Sequence, residues 1–323
     1  MTVLLTGAAG FIGMHVAEAL LARGDHVIGI DNLNSYYDVG LKRARLARLE
    51  ARPGFRFLAI DVAEREAMLE LAESQAEVTR IVHLAAQPGV RHSLVDPYAY
   101  VQANVMGHLV VLELARRLKR LEHLVYASSS SVYGGNHDLP FTETDRVDHP
   151  VSLYAATKRS GELISESYAH LFGLPQTGLR FFTVYGPWGR PDMAPWMFAE
   201  AILEGRPITL YDAGRLKRDF TFVEDIAAGV VGCLDRPAPA AHPRLLNIGN
   251  HRSVEVRHFV TVLEEALGRR AVVVDTPRPA TDVQETFADI EAIRAVCGFE
   301  PRTSIEAGIP RFAEWFLSWR KGG

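Results

Sequence analysis

Residues 6–13 read TGAAGFIG and set Gly7, Gly10 and Gly13 between an apolar run, TVLLT, and a helical one, FIGMHVAEALLARG. The spacing is G-x-x-G-x-x-G, not the commoner G-x-G-x-x-G of dinucleotide-binding turns, yet each glycine has the same physical use. Gly7 permits a tight turn, Gly10 lets backbone approach a pyrophosphate, and Gly13 lets helix and strand pack closely. A pyrophosphate held there sits on the positive end of the helix. A turn that uses glycine for geometry alone is the bland alternative. Three glycines at this spacing in the first strand–helix unit favour the cofactor. Asp31 ends the next run, HVIGID, 18 residues after Gly13, close to the ~20-residue offset of a ribose-binding carboxylate. A carboxylate there repels a 2′-phosphate, and no arginine follows it directly, so NAD is favoured over NADP.

Outward from this turn, short apolar runs alternate with helical ones. FRFLAID, RIVHLAA, HLVYASSSS, QTGLRFF and RLLNIGN read as strands, and AEREAMLELAESQ and NVMGHLVVLELARRLK as helices between them. This alternation predicts an α/β chain built on a doubly wound, Rossmann-type parallel sheet. From about Thr183 the texture changes to dense Pro and Gly in VYGPWGRPDMAP. We expect a NAD-binding domain over 1–182, a smaller α/β C-terminal substrate domain over 183–323, and segments near 219–249 returning to the first.

The totals set limits. A chain of 323 residues is long for one compact core. At 48% hydrophobic and 23% charged it has ordinary globular composition. It lacks an 18-residue apolar stretch, so no membrane span is expected. The start, MTVLLTGAAG, lacks the basic region of a secretory signal. Cys233 and Cys297 are the only cysteines, which fits a reducing, cytoplasmic setting. A net charge of −4 draws neither nucleic acid nor acidic lipid. The basic run KRARLARLEAR has interleaved leucines and reads as a solvated helix face. No histidine pair has metal-ligand spacing, so no metal is expected.

PVSLYAATKRSGE carries Tyr154 and Lys158 one helical turn apart. A helix from about Leu153 to Phe172 fits, with Ser152 as cap and Gly173 after the last turn. Its apolar stripe is expected at Leu153, Ala156, Thr157, Ser160, Ile164, Tyr168 and Leu171, with Tyr154 and Lys158 on the adjacent line. Alone, such a pair more often reaches into solvent. A free tyrosine titrates near ~10 and is a poor base. A nearby ammonium and a cationic nicotinamide ring would lower that value. Ser129, in the serine run after HLVYA, can bridge a sugar hydroxyl to the phenol.

With TGAAGFIG, YASSSSVYG and YAATK in this order, the chain resembles the extended short-chain dehydrogenase/reductase superfamily, in particular its nucleotide-sugar epimerases. NLNSYYDVGLKRARL, VDHPVSLYAATK, LRFFTVYGPWGRPDM and KRDFTFVEDI are similar to UDP-glucuronate 4-epimerases. The spacing from Ser129 to Tyr154 is 25 residues, as in the superfamily's Ser/Thr and Tyr-x-x-x-Lys pattern. The resemblance implies Ser129, Tyr154 and Lys158 as the catalytic set, with Lys158 also on the nicotinamide ribose. It extends the cofactor contacts from Gly7, Gly10, Gly13 and Asp31 to Phe11, Ile12, Asn32, Asp61, Val62, Leu84, Ala85, Ala86 and Asn104. It implies Arg218 and Arg278 on a substrate diphosphate, Asp282 on the uridine ribose, Arg190 on the diphosphate or uridine side, and Tyr211 near the uracil. Thr183 and Ser130 would hold the sugar carboxylate, and Arg91 falls near the nicotinamide end. The implied reaction inverts C4 of UDP-glucuronate through a 4-keto sugar, in a family that often forms homodimers. UDP-glucose/UDP-galactose-type 4-epimerases, UDP-glucuronate decarboxylases and an NAD-sensing regulator on the same fold are the alternatives. A 4,6-dehydratase fits poorly, because Ser130 and Ser131 stand where those enzymes have Asp and Glu.

Overall fold

The computed structural model describes residues 1–278 and 283–322. Along the chain run β1 (Thr2–Thr6), α1 (Phe11–Ala22), β2 (His26–Asp31), α2 (Val39–Glu50), β3 (Phe55–Ala59), α3 (Arg65–Ser74) and β4 (Arg80–His83). A continuous helical stretch follows: α4 (Pro97–Tyr100), a π-turn (Val101–Met106) and α5 (Gly107–Ala115). Next come β5 (His123–Ser129), α6 (Leu153–Phe172), β6 (Gln176–Phe181), β7 (Thr183–Tyr185), α7 (Ala194–Glu204), β8 (Pro207–Tyr211), β9 (Lys217–Arg218), β10 (Phe220–Phe222) and α8 (Val223–Leu234). The chain ends with β11 (Arg244–Ile248), β12 (Val254–Glu255), α9 (Val256–Leu267), β13 (Val272–Thr276), α10 (Glu291–Cys297) and α11 (Ile305–Gly322).

Seven strands form one parallel sheet in the order β11-β6-β5-β4-β1-β2-β3. This is the doubly wound order of dinucleotide-binding folds with one further strand, and its crevice opens where the order reverses, beyond β1 and β4. Both faces of the sheet are covered. Alternate residues of one strand enter opposite cores: Val3 and Leu5 pack with α1 and α8, while Leu4 packs with α3 and α5. That period of two is the strand pleat made visible. α1 is buried nearly all round, not on one face, because α8 packs against its outer side.

The expected return of the chain to the sheet is β11, which pairs with β6 from Thr177 to Phe181. The remaining C-terminal elements build their own core from Phe220, Phe222, Phe259, Phe312 and Phe316. They carry three two-stranded pairings, β7 with β10, β9 with β12, and β8 with β13. Among the described residues no helix is long and apolar enough to cross a membrane.

α6 runs from Leu153 to Phe172, capped by the Ser152 side chain on the Ala155 N–H and closed by left-handed Gly173, as the sequence predicts. Its buried face differs from the expected stripe. Ala155, Thr157, Lys158, Gly161, Glu162, Ser165 and Ala169 are buried, while Leu171 is exposed. Polar partners on β5 and β6 turn the helix: Glu162 meets Arg180 and Ser128 inside. The basic run of α2 also departs from a solvated face, since Lys42 and Arg45 are buried.

Candidate active site

The glycine turn caps the crevice. Gly7 has φ +75°, and a Cβ there would stand 2.8 Å from the Ala85 nitrogen. A Cβ on Gly13 would stand 2.0 Å from the Gly7 carbonyl oxygen, so only glycine lets α1 pack on the turn. Gly10 opens α1 with no side-chain cap and no acidic residue in the first turn. The N–H groups around Phe11 and Ile12 are thus available to an anion. Asp31 closes β2 and faces the turn, accepting from the Ala9 N–H at 3.1 Å and the Leu33 N–H at 2.9 Å. Burial holds its pKa above the ordinary value, and these bonds oppose the shift. Asn32 donates to Asp61 at 2.7 Å, beside buried Val62.

Across the crevice, Leu84, Ala85 and Ala86 follow β4, and the Ala85 N–H donates to the Thr6 hydroxyl at 3.1 Å. Asn104 sits in the π-turn, a helical irregularity that recurs at functional sites. Its amide bonds the Gln87 backbone at 2.7 and 3.1 Å and the Thr157 hydroxyl at 3.0 Å. The residues expected from the sequence to hold the cofactor thus follow the C-terminal ends of β1, β2, β3 and β4, where the crevice opens, and Asn104 is tied to the segment after β4. A turn that a Cβ would fill, an uncapped helix start and a ribose-height carboxylate fit a dinucleotide.

At the groove's inner end α6 presents Tyr154 and Lys158. Lys158 is buried and donates to the Ala127 carbonyl of β5 at 3.0 Å. Burial pushes its pKa down to about 8. Burial also raises the pKa of the Tyr154 phenol. A hydrogen bond from Ser129 and the charge of Arg190 pull it back. The sequence reading assigned that pull to Lys158 and a nicotinamide ring. Within the chain it comes from Ser129 and Arg190. Ser129 ends β5 and its hydroxyl accepts from the Ser131 N–H at 3.2 Å, which orients the serine run.

On the far side, Thr183 opens β7, and Ser130 opens the short helical turn after Ser129. Arg190 lies in the loop after β7 with one guanidinium nitrogen buried and unpartnered. Tyr211 ends β8 opposite Thr276, and Arg278 lies 3.7 Å from Asp212, so β8 and β13 bring Tyr211 and Arg278 together. Arg218 donates to the Lys217 carbonyl at 2.8 Å and reaches the Gln284 carbonyl at 3.3 Å, beside the returning chain. Asp282 lies outside the described residues. Arg91 is exposed in a short turn over Arg91–Leu94 and joins none of these groups.

Residues 3–249 match the NAD dependent epimerase/dehydratase family. The chain belongs to that family. It is 45% identical to a Rhizobium meliloti protein named "Probable UDP-glucuronate 4-epimerase", over 98% of this chain and 97% of that one. It is 44% identical to UDP-glucuronate 4-epimerase 3 of Arabidopsis thaliana, over 100% of this chain and 78% of the relative. Among solved structures, UDP-glucuronic acid 4-epimerase from Bacillus cereus, in complex with UDP-glucuronic acid and NAD, superposes with a TM-score of 0.90 at 32% identity. That match covers 99% of this chain and 100% of the other.

This member of the epimerase/dehydratase family also uses residues that the motifs do not mark. Tyr100 places its ring edge-on to Tyr154, centroids 6.2 Å apart, and donates to the Pro88 carbonyl at 2.6 Å. Thr157 and Gln87 complete the Asn104 bridge. Glu162 and Arg180, both buried, form an ion pair of 2.9 Å that ties α6 to β6. Only contacts across distant parts of the chain define these roles. The one local signal was Glu162, one turn beyond Lys158 on the same helix.

Proposed function

We propose that this chain is an NAD-dependent UDP-glucuronate 4-epimerase that forms UDP-galacturonate through a transient 4-keto sugar. The observation that supports the reading is the bond from Lys158 of α6 to Ala127 of β5, which sets the helix carrying Tyr154 and Lys158 against the strand that ends in Ser129. It occurs in a chain alike over its whole length to proteins named for this reaction.

NAD, when bound, supplies the redox chemistry at the sugar C4 carbon and returns it within one turnover. The chain's own residues handle the proton and the geometry. Tyr154 takes the proton of the sugar 4-hydroxyl and gives it back after the sugar has turned over, with Ser129 holding that oxygen. Lys158 lies one helical turn from Tyr154 on α6 and fixes the nicotinamide ribose. Gly7, Gly10, Phe11, Ile12 and Gly13 hold the pyrophosphate of NAD, and Asp31 its adenosine ribose. Arg190, Arg218 and Arg278 hold the UDP diphosphate through guanidinium forks.

Thr183 and Ser130 bind the uronate carboxylate with neutral donors. A 4-keto uronate is a β-keto acid and loses CO2 readily, so donors that fix the carboxylate away from the cleavage geometry protect it. In this reading residues 1–182 with 219–249 form the NAD-binding part and 183–323 mainly the UDP-sugar part.

We read the chain as a cytoplasmic homodimer. Met106 in the segment NVMGHLVVLELARRL and Leu163, Leu171 and Phe172 of α6, the two helices that would pair, are exposed. A second copy laying the same helices against them would cover that surface.

The test is direct. Purified protein is incubated with UDP-glucuronate and the sugar nucleotides are separated. UDP-galacturonate supports the reading, whereas UDP-pentose with CO2, or no turnover, rejects it.

A further inference from the structure

Arg45 of α2 is fully buried, and its guanidinium meets no carboxylate at ion-pair distance among the described residues. All its partners are neutral. It donates to the Ala9 carbonyl at 3.1 Å, the Tyr37 hydroxyl at 2.6 Å, the Trp188 carbonyl at 2.7 and 3.1 Å and the Gly189 carbonyl at 3.2 Å. Lys42, three residues before it, is buried as well, donates to the backbone and side chain of Asn34 and lies over the Tyr37 ring. The buried carboxylate of Asp31 attracts both cations, and two buried cations against one carboxylate leave an excess of positive charge that a further anion would complete. Ala9 immediately precedes Gly10, so Arg45 stands directly behind the turn read above as the diphosphate cradle.

The same side chain spans two parts of the molecule. Ala9 belongs to the glycine turn, and Trp188 and Gly189 to the loop that carries Arg190. Trp188 has φ +64°, a strained conformation for a bulky residue, and Arg45 holds its carbonyl with two N–H groups. Two further contacts follow the same path. Arg48 stacks over the Trp188 ring at 5.3 Å, and the Tyr36 hydroxyl donates to Asp192 at 3.1 Å. Residues 36–48 thus strap the cofactor groove to the substrate loop.

We propose that Arg45 is the residue that retains the dinucleotide: it balances a diphosphate bound on Gly10–Ile12 and locks the Trp188–Gly189 turn against the glycine turn. This rests on the cofactor reading given above. Release then requires the strap to open, and the Arg190 loop feels whether the cofactor is in place.

The test uses full-length wild type, Arg45→Met, Arg45→Lys and Tyr36→Phe. Bound NAD per chain is measured after acid release, NAD loss is timed on dilution, and unfolding is followed with and without added NAD. Arg45→Met is expected to lose NAD about tenfold faster and to gain less thermal stability from added NAD. Arg45→Lys, which keeps the charge but not the fork, falls between, and Tyr36→Phe accelerates loss modestly. A folded Arg45→Met protein with wild-type occupancy and loss rate overturns the proposal. If that variant does not fold, wild-type loss rates in both Arg45→Lys and Tyr36→Phe overturn it. A wild-type protein that neither carries nor binds NAD overturns the cofactor reading itself, and the proposal with it.

Discussion

The Lys158 ammonium donates to the Ala127 carbonyl at 3.0 Å, and this bond, with that of Ser128 to Glu162 at 2.6 Å, ties α6 to the strand that ends in Ser129. The proton-transfer pair and the serine thus belong to one rigid unit, with α6 held again further on by Glu162 and Arg180.

Tyr154→Phe removes the hydroxyl proposed to exchange a proton with the sugar. Turnover should fall by about 10²–10⁴-fold or more, while NAD content stays at the wild-type level. Product analysis and cofactor stoichiometry on the same preparation check both halves, and retained turnover would remove Tyr154 from the reaction.

Lys158 carries a pH signature. Burial lowers its folded pKa to about 8, below the usual ~10.4 of lysine. Below about 8 both states are protonated, so the whole cost of burying the charge is present. Between about 8 and ~10.4 the unfolded chain binds a proton that the folded chain lacks, so this group makes stability rise with pH. Lys158→Met should therefore stabilise the protein at pH 7 by about 1–3 kcal/mol, offset in part by the lost bond to Ala127, and the gain should shrink toward pH 10. Urea unfolding at both pH values measures it; a destabilised variant at pH 7 contradicts it.

Glu162 and Arg180 are a buried pair, with side chains 0% and 1% exposed. Removing Glu162 leaves Arg180 as an uncompensated buried charge and should cost about 3–5 kcal/mol, whereas removing Arg180 leaves Glu162 paired with Arg159 at 3.0 Å and should cost less. Glu162→Leu combined with Arg180→Met should cost clearly less than the two single changes added together. Additive losses in chemical denaturation would show that the two side chains act independently.

Thr183→Val removes a hydroxyl from the carboxylate end of the proposed sugar site. Weaker use of UDP-glucuronate, or leakage of a UDP-pentose, is expected. Unchanged KM and an unchanged product would mean that Thr183 does not face the carboxylate.

Gly13→Ala would put a methyl group 2.0 Å from the Gly7 oxygen, a backbone clash that no rotamer relieves. Loss of NAD from the purified protein, with a lowered unfolding temperature, is the expected result.

Local rules carried the reading of the chain a long way. The glycine turn, the strand run and both ends of α6 were legible because caps, glycines and apolar runs act over a few residues. The buried face of α6 was not. Its burial follows Glu162, whose partners Arg180 and Ser128 arrive from other strands, so a stripe drawn from apolar residues alone points the wrong way. Lys42 and Arg45 were hidden for the same reason: nothing near them in sequence shows that the loop around Trp188 will cover them. The serine run also divides only in three dimensions, where Ser129 ends β5 and Ser130 starts the turn.

The pairing of β11 with β6 sets how this protein can be taken apart. Gln176–Phe181 is buried at every position, and β11 covers its outer edge only after the chain has run out through β7 to α8 and come back. A chain ended at residue 182 would expose that strand as a bare, apolar edge, the kind that recruits other chains into aggregates. The two halves therefore cannot be made and studied separately by one cut, and any transplant of the sugar-binding part onto another scaffold must carry β11 and α8 across or supply a substitute for them.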